Sequence, residues 1–227
     1  MSTTAVACTV GAVAALVAAP YLARLTLSVP DREDPRWWQG RAAGSRRVAA
    51  TSGLAVLLAA LAGAAAGWTA QLPALLWLAI LGTPLVIIDL EHHRLPDRLV
   101  FTADAGALLL GVVAAAVRDD WADLLRAAEA AGAVFAALFV LAFAAPKAFG
   151  FGDVKLGGLL GGYLGWFGWL PVYYGIFAGF VLGAVAGIGL VALRRAGMKT
   201  QVPFGPSMIV GALLVLAFDL TPTFTVQ

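Results

Sequence analysis

Residues 72–90 read LPALLWLAILGTPLVIIDL, an uncharged run of seventeen positions that ends at Asp89. A helix that crosses the hydrocarbon of a bilayer needs about 20 mostly apolar residues, so this stretch has the length of a span. Nothing in it alternates with period two, and the residues that follow, Glu91-His92-His93-Arg94, return abruptly to charge. Working outward, runs of similar length and character recur at about 5–27, 47–68, 99–117, 127–146, 155–170, 172–193 and 206–222, bounded by charge, Pro or Gly. The boundary between the sixth and seventh spans is placed at Pro171. The fold expected is all-α, a polytopic integral membrane helical bundle of about eight transmembrane helices.

Composition supports this over any soluble class. Of the 227 residues, 61% are hydrophobic and 12% charged, where a soluble domain carries about 25% charged residues. The mean hydropathy is +0.90. Such a chain is not disordered, and a net charge of +2 supplies no basic stripe for nucleic acid. One cysteine, Cys8, rules out a disulfide framework and a Cys-rich zinc module. The first apolar run has no Lys or Arg before Arg24, so it lacks the basic start of a signal peptide and is expected to be a span. Cys8 reads as a small helical residue and not as a lipidation site.

Basic residues give the orientation, because cytoplasmic connections are enriched in Lys and Arg. The connections after spans 1, 3, 5 and 7 hold Arg24, Arg32, Arg36, Arg41, Arg46, Arg47, Arg94, Arg98, Lys147, Lys155, Arg194, Arg195 and Lys199, leaving only Arg118 and Arg126 for the other side. The expectation is a multi-pass protein of the inner (cytoplasmic) membrane with these four connections in the cytoplasm and both termini outside.

Carboxylates near membrane depth are costly, and each is a functional candidate until a plainer role covers it. Asp89 and Asp153 lie 64 positions apart yet fall on the same side by the loop count. Asp153 sits in Gly150-Phe151-Gly152-Asp153-Val154-Lys155, whose glycines permit a turn or a close approach by another segment. Taken alone, that segment also reads as an ordinary turn between helices. Asp97 follows Pro96 and precedes an apolar run, which suits a helix cap. Asp219 lies near water at the end of the last span. Asp104, seven positions after Asp97 on one helix face, is a water-accessible auxiliary acid or an alternative partner for Asp89.

Two carboxylates within hydrogen-bond reach cannot both ionise comfortably, so the pair offers an acid and a base together. One takes a proton from a water attacking an amide carbonyl; the other polarises that carbonyl and then protonates the amine leaving group. This needs neither metal nor cofactor. The alternative chemistry for paired intramembrane acids is a proton relay in a small membrane transporter.

Three blocks taken together, Ile88-Asp89-Leu90-Glu91-His92-His93-Arg94-Leu95-Pro96-Asp97, Gly150-Phe151-Gly152-Asp153-Val154-Lys155-Leu156 and Val202-Pro203-Phe204-Gly205-Pro206, resemble the type IV prepilin peptidases, in that family's order. The resemblance implies an intramembrane aspartic endopeptidase of the Gly-x-Gly-Asp kind, with Asp89 and Asp153 catalytic. Gly150, Gly152, Lys155, Pro96 and Asp97 are supporting positions. It also implies a substrate class, prepilin or pseudopilin precursors whose basic leader is cut on the cytoplasmic side after a glycine that precedes a hydrophobic helix. Residues 1–70 would then form an N-terminal two-helix membrane region with a basic cytoplasmic loop, and 71–227 a six-helix peptidase core.

Longer members of that family carry a loop with paired Cys-x-x-Cys motifs and also N-methylate the new terminus. Here the loop at about 28–46 contains no cysteine, which removes the ligands for zinc and puts methyl transfer in doubt. Trp37 and Trp38 read as interfacial anchors. His92 and His93 beside Glu91 make an incomplete coordination shell, so no metal is expected. Gly175, Gly179, Gly183 and Gly187 recur every fourth residue, a stripe suited to close helix packing.

Overall fold

A computed structural model describes residues 2–30, 36–145, 150–193 and 203–220. Those residues form eight α-helices: α1 Thr3–Ser28, α2 Ser45–Ala66, α3 Leu72–His92, α4 Asp97–Arg118, α5 Trp121–Ala144, α6 Phe151–Phe167, α7 Trp169–Ala192 and α8 Gly205–Phe218. A 3-10 turn at Trp37–Gln39 lies between α1 and α2, and no strand occurs among the described residues. The polytopic helical membrane bundle expected from the sequence is therefore present, with every helix near its expected place.

Two of the helices are shorter than a full span. Six are long and apolar enough to cross a membrane, whereas α6 has 17 residues and α8 has 14. At 1.5 Å per residue these reach about 26 and 21 Å, short of a hydrocarbon core of about 30 Å. Both carry glycine and packed leucine faces, and their apolar surface is spent on neighbouring helices. The break between α6 and α7 falls at Gly168 and not at Pro171. Gly168 takes φ 134° at the end of α6, a conformation open to glycine alone, and Pro171 lies in the first turn of α7, where the missing N–H costs nothing.

Chain termini of the other helices follow ordinary capping chemistry. Ser2 caps α1 through a bond from the Ala5 amide (3.2 Å), and Asp120 caps α5 by accepting from Asp123 N–H. His93 and Asp119 close α3 and α4 in left-handed conformations, φ 52° and 54°.

The buried centre is α3. Its most apolar stretch is 67% buried, against 22–33% for the other five long helices, and Leu75, Leu78, Leu85 and Ile88 are fully enclosed. One hydrophobic cluster joins α1, α2, α3, α6 and α8 through Leu22, Leu58, Leu156, Leu160, Leu164 and Ile209. The outward faces stay apolar, with Val17, Phe143 and Ile188 at least 70% exposed; in lipid such surface needs no cover.

Small residues let the hairpin pairs approach. A Cβ on Gly63 of α2 would stand 2.7 Å from Cys8 Cα of α1, and one on Gly211 of α8 would stand 2.5 Å from Gly179 N of α7. The glycine stripe of α7 thus faces Leu164, Met208 and Phe204 at Gly175, Gly179 and Gly183. Close packing accounts for those three positions.

The ends of the bundle differ in chemistry. At one end Arg47 of α2 grips Glu91 of α3 with two bonds (2.8 and 3.1 Å) and Thr26 of α1 with a third (2.8 Å). There Arg94 also donates to the Pro30 carbonyl. Trp37 accepts from Ser28 Oγ (2.7 Å) and lies under Arg98, and Trp38 accepts from Tyr21 Oη (2.6 Å), which ties both tryptophans back to α1. At the far end of α4 and α5, Arg126 donates to the last carbonyls of α6, Gly165 (2.8 Å) and Trp166 (2.7 Å), and pairs with Asp123.

Candidate active site

The last turn of α3 carries Asp89 on its buried side, and the residue is only 4% exposed. It is held there because Ile88 beside it is wholly buried and because its Oδ2 accepts a hydrogen bond from the backbone N–H of Gly205 at 3.0 Å. That amide is the first of α8, one of the donors a helix start leaves without an intrahelical partner.

Asp153 stands in the first turn of α6, where Gly150 is the N-cap. Its Oδ2 accepts from Gly150 N–H at 3.2 Å, while its own N–H donates to the Gly150 carbonyl at 3.1 Å. This reciprocal pairing fixes the side chain against the start of its own helix. Each candidate carboxylate therefore receives one backbone donor.

Leu95, in the connection between α3 and α4, gathers the pieces. A Cβ on Gly152 would meet Leu95 Cβ at 3.1 Å, so α6 seats tightly against that connection; a Cβ on Gly205 would meet Leu95 Cδ2 at 3.3 Å and Leu156 Cδ2 of α6 at 3.4 Å. The ends of α3, α6 and α8 that carry the three sequence blocks thus converge, and the Asp89 and Asp153 carboxylates lie within electrostatic reach of each other. Pro96 is the residue before α4.

Asp97 does not serve as the helix cap the sequence suggested. Asp97 is the first residue of α4 and makes no capping bond. Its Oδ1 instead accepts from Lys155 Nζ at 2.7 Å, and that ammonium also sits over the Phe101 and Phe151 rings (5.1 and 5.0 Å). The lysine is occupied with Asp97 and Phe101 of α4 and with Phe151 of its own helix, so it buckles α4 to α6. His93 ends α3, its N–H bonded to the Asp89 carbonyl at 2.8 Å. Asp219 ends α8.

Asp104 goes elsewhere. It lines a cavity of about 210 Å³ between α4, α5 and α6, with Gln71, Tyr163 and Trp166, and neither Asp89 nor Asp153 borders that cavity. Tyr163 Oη donates to the Ala74 carbonyl at 3.0 Å. Arg32, Lys147, Arg194, Arg195, Lys199 and the Val202 end of the third block lie outside the described residues. Two features carried no role in the sequence, the Arg47–Glu91 clamp and the Gly205 amide. A glycine just before a proline at the start of an apolar helix was the available signal for the second.

A helical membrane bundle that draws an acid from each of two helices to one end, each acid pinned by a backbone amide, defines an architecture into which the comparisons fit. The Type IV leader peptidase family matches residues 76–188, which include both acids, and the chain belongs to that family. Among curated proteins it is similar to the prepilin leader peptidase/N-methyltransferases of Aeromonas hydrophila (32% identity over 192 residues, 79% of this chain and 63% of that protein), Pseudomonas aeruginosa (30% over 169 residues, 70% and 54%) and Legionella pneumophila (31% over 145 residues, 62% and 47%). The chain spans less than two thirds of the length of these relatives. No solved structure gives a significant match.

Proposed function

We propose that the protein is an intramembrane aspartic endopeptidase that removes the leader of type IV prepilin-like precursors at the cytoplasmic face of the inner membrane. The observation that carries this reading is the convergence, around Leu95, of the helix ends that bear Asp89 and Asp153, at the end of the bundle that also carries Arg47 and Lys155. Family membership and relatives named as prepilin leader peptidases support the substrate class.

In the reaction, a water lies between the two carboxyl groups. The ionised one takes a proton from it as the oxygen attacks the scissile carbonyl, and the protonated one donates to the carbonyl oxygen. Collapse of the tetrahedral species breaks the C–N bond; a proton passes to the nitrogen, leaving a leader carboxylate and a free amine. The backbone donors Gly205 N–H and Gly150 N–H hold the two side chains so that little reorganisation is needed. The precursor's apolar helix rests in the bilayer, which leaves its leader junction at the water interface. The proposal covers proteolysis alone, since the loop at 28–46 holds no cysteine of the kind the longer relatives use. Both termini lie outside in this reading.

Co-expression with a precursor having a basic leader and a Gly–hydrophobic junction tests it. Mass spectrometry should find a new N-terminus at the residue after the glycine. An intact precursor, in membranes where the enzyme accumulates, overturns the reading. Cleavage should also survive a chelator, and complete inhibition reversed by zinc contradicts a mechanism of carboxylates alone.

A further inference from the structure

We propose that Gly205 is a positioning residue for the reaction, its backbone N–H holding Asp89 in the orientation that faces Asp153. This rests on the proposed peptidase reading and adds a function to the third sequence block, which lies outside the matched residues 76–188.

Three observations converge on one residue. The first is the bond itself, Gly205 N–H to Asp89 Oδ2 at 3.0 Å, between buried groups 116 positions apart. The second is steric: a Cβ at 205 would stand 2.9 Å from that same oxygen, closer than real Cβ contacts come, with Leu95 and Leu156 closing the remaining sides at 3.3 and 3.4 Å. The carboxylate is therefore the atom that a side chain would displace. The third is the helix start. Proline follows at 206 and has no N–H, so within the first two residues of α8 only Gly205 can donate. Glycine supplies the donor and the absence of Cβ together.

Asp89 has two side-chain torsions to fix, and the buried Gly205 N–H is a donor placed to fix them. Loss of the amide bond frees the carboxylate to turn away from Asp153. Because Gly205 acts through Asp89 and not on the precursor, the effect should appear in kcat and spare KM.

The test uses the full chain in lipid nanodiscs and a synthetic precursor peptide spanning the leader junction. Gly205→Ala should lower kcat by about tenfold or more, as expected for a disturbed hydrogen bond to a charged group, with KM within about twofold. A backbone ester at 205, made by cell-free incorporation of glycolic acid, removes the N–H without adding an atom, and should lower kcat likewise. Pro206→Ala, which leaves the Gly205 amide and its missing Cβ intact, should keep kcat. An ester variant with unchanged kcat, or a loss confined to KM, overturns the proposal. Asp89→Asn run beside them separates the two claims: an active Asp89→Asn ends the peptidase reading, whereas an inactive one next to a normal ester variant ends only the role of Gly205.

Discussion

Among the acids, burial and company separate function from framework. Asp89 is nearly inaccessible and is met by Gly205; Asp153 is partly buried and is met by Gly150. Asp97 is spoken for by Lys155. Asp104, the candidate that sequence left open, belongs to a different cavity. Asp104→Asn should therefore cleave precursor within about threefold of wild type, the range expected of a change away from the reacting atoms; a loss matching that of Asp89→Asn, at equal accumulation, would return Asp104 to the pair. Asp89 and Asp153 were legible because each interrupts an apolar or Gly-rich run with charge. The partner of Lys155 was not: Asp97 lies 58 positions away, and only the packing of α4 against α6 brings the two together. The Gly205 amide was hidden for a related reason, since the direction of a backbone N–H depends on where α8 starts.

At the scale of elements, all eight helices were visible as apolar runs, while their ends were less so. Trp121–Arg126 joined α5 although it carries Asp123 and Arg126, because Asp120 caps the helix and Arg126 satisfies the carbonyls that end α6. The break at Gly168 was masked by Pro171, which the first turn of a helix accepts. Short α6 and α8 could not be distinguished from full spans by hydropathy, since buried and lipid-facing helices are equally apolar. Glycines reveal which faces are closed. Gly211→Leu would drive a side chain into the α7 backbone at Gly179 and should cost on the order of 1–3 kcal/mol by overpacking, seen as a lower unfolding temperature in detergent. Gly53→Leu, with open space around it and an exposed face, should leave that temperature nearly unchanged. Equal behaviour of the two variants would mean that α7 and α8 do not pack as described.

For the whole molecule, the division of charge matters more than the charge itself. The end bearing Arg47, Glu91, Arg94, Asp97 and Lys155 also holds the paired acids, and the Arg126 end holds none of this machinery. The Arg47–Glu91 bridge is partly exposed (27% and 41%), and such bridges contribute about 0–1 kcal/mol; its use is to tie α1 and α2 to the end of α3. The side on which this end lies was read from basic residues alone. In a Cys8→Ser background, His92→Cys should react with a membrane-impermeant maleimide only after the inner membrane is opened, and Trp121→Cys before it is; the reverse pattern would turn the molecule over and place the acids outside the cytoplasm.

The central claim, that two carboxylates from α3 and α6 act as one acid–base unit, is tested most directly by single-turnover cleavage in nanodiscs with Asp89→Asn, Asp153→Asn and the double variant. Each single change should slow cleavage by about 100-fold or more, and the double variant should be scarcely slower than either, because a unit once broken has little left to lose. Near wild-type cleavage by either single variant, or losses that multiply in the double, would contradict it.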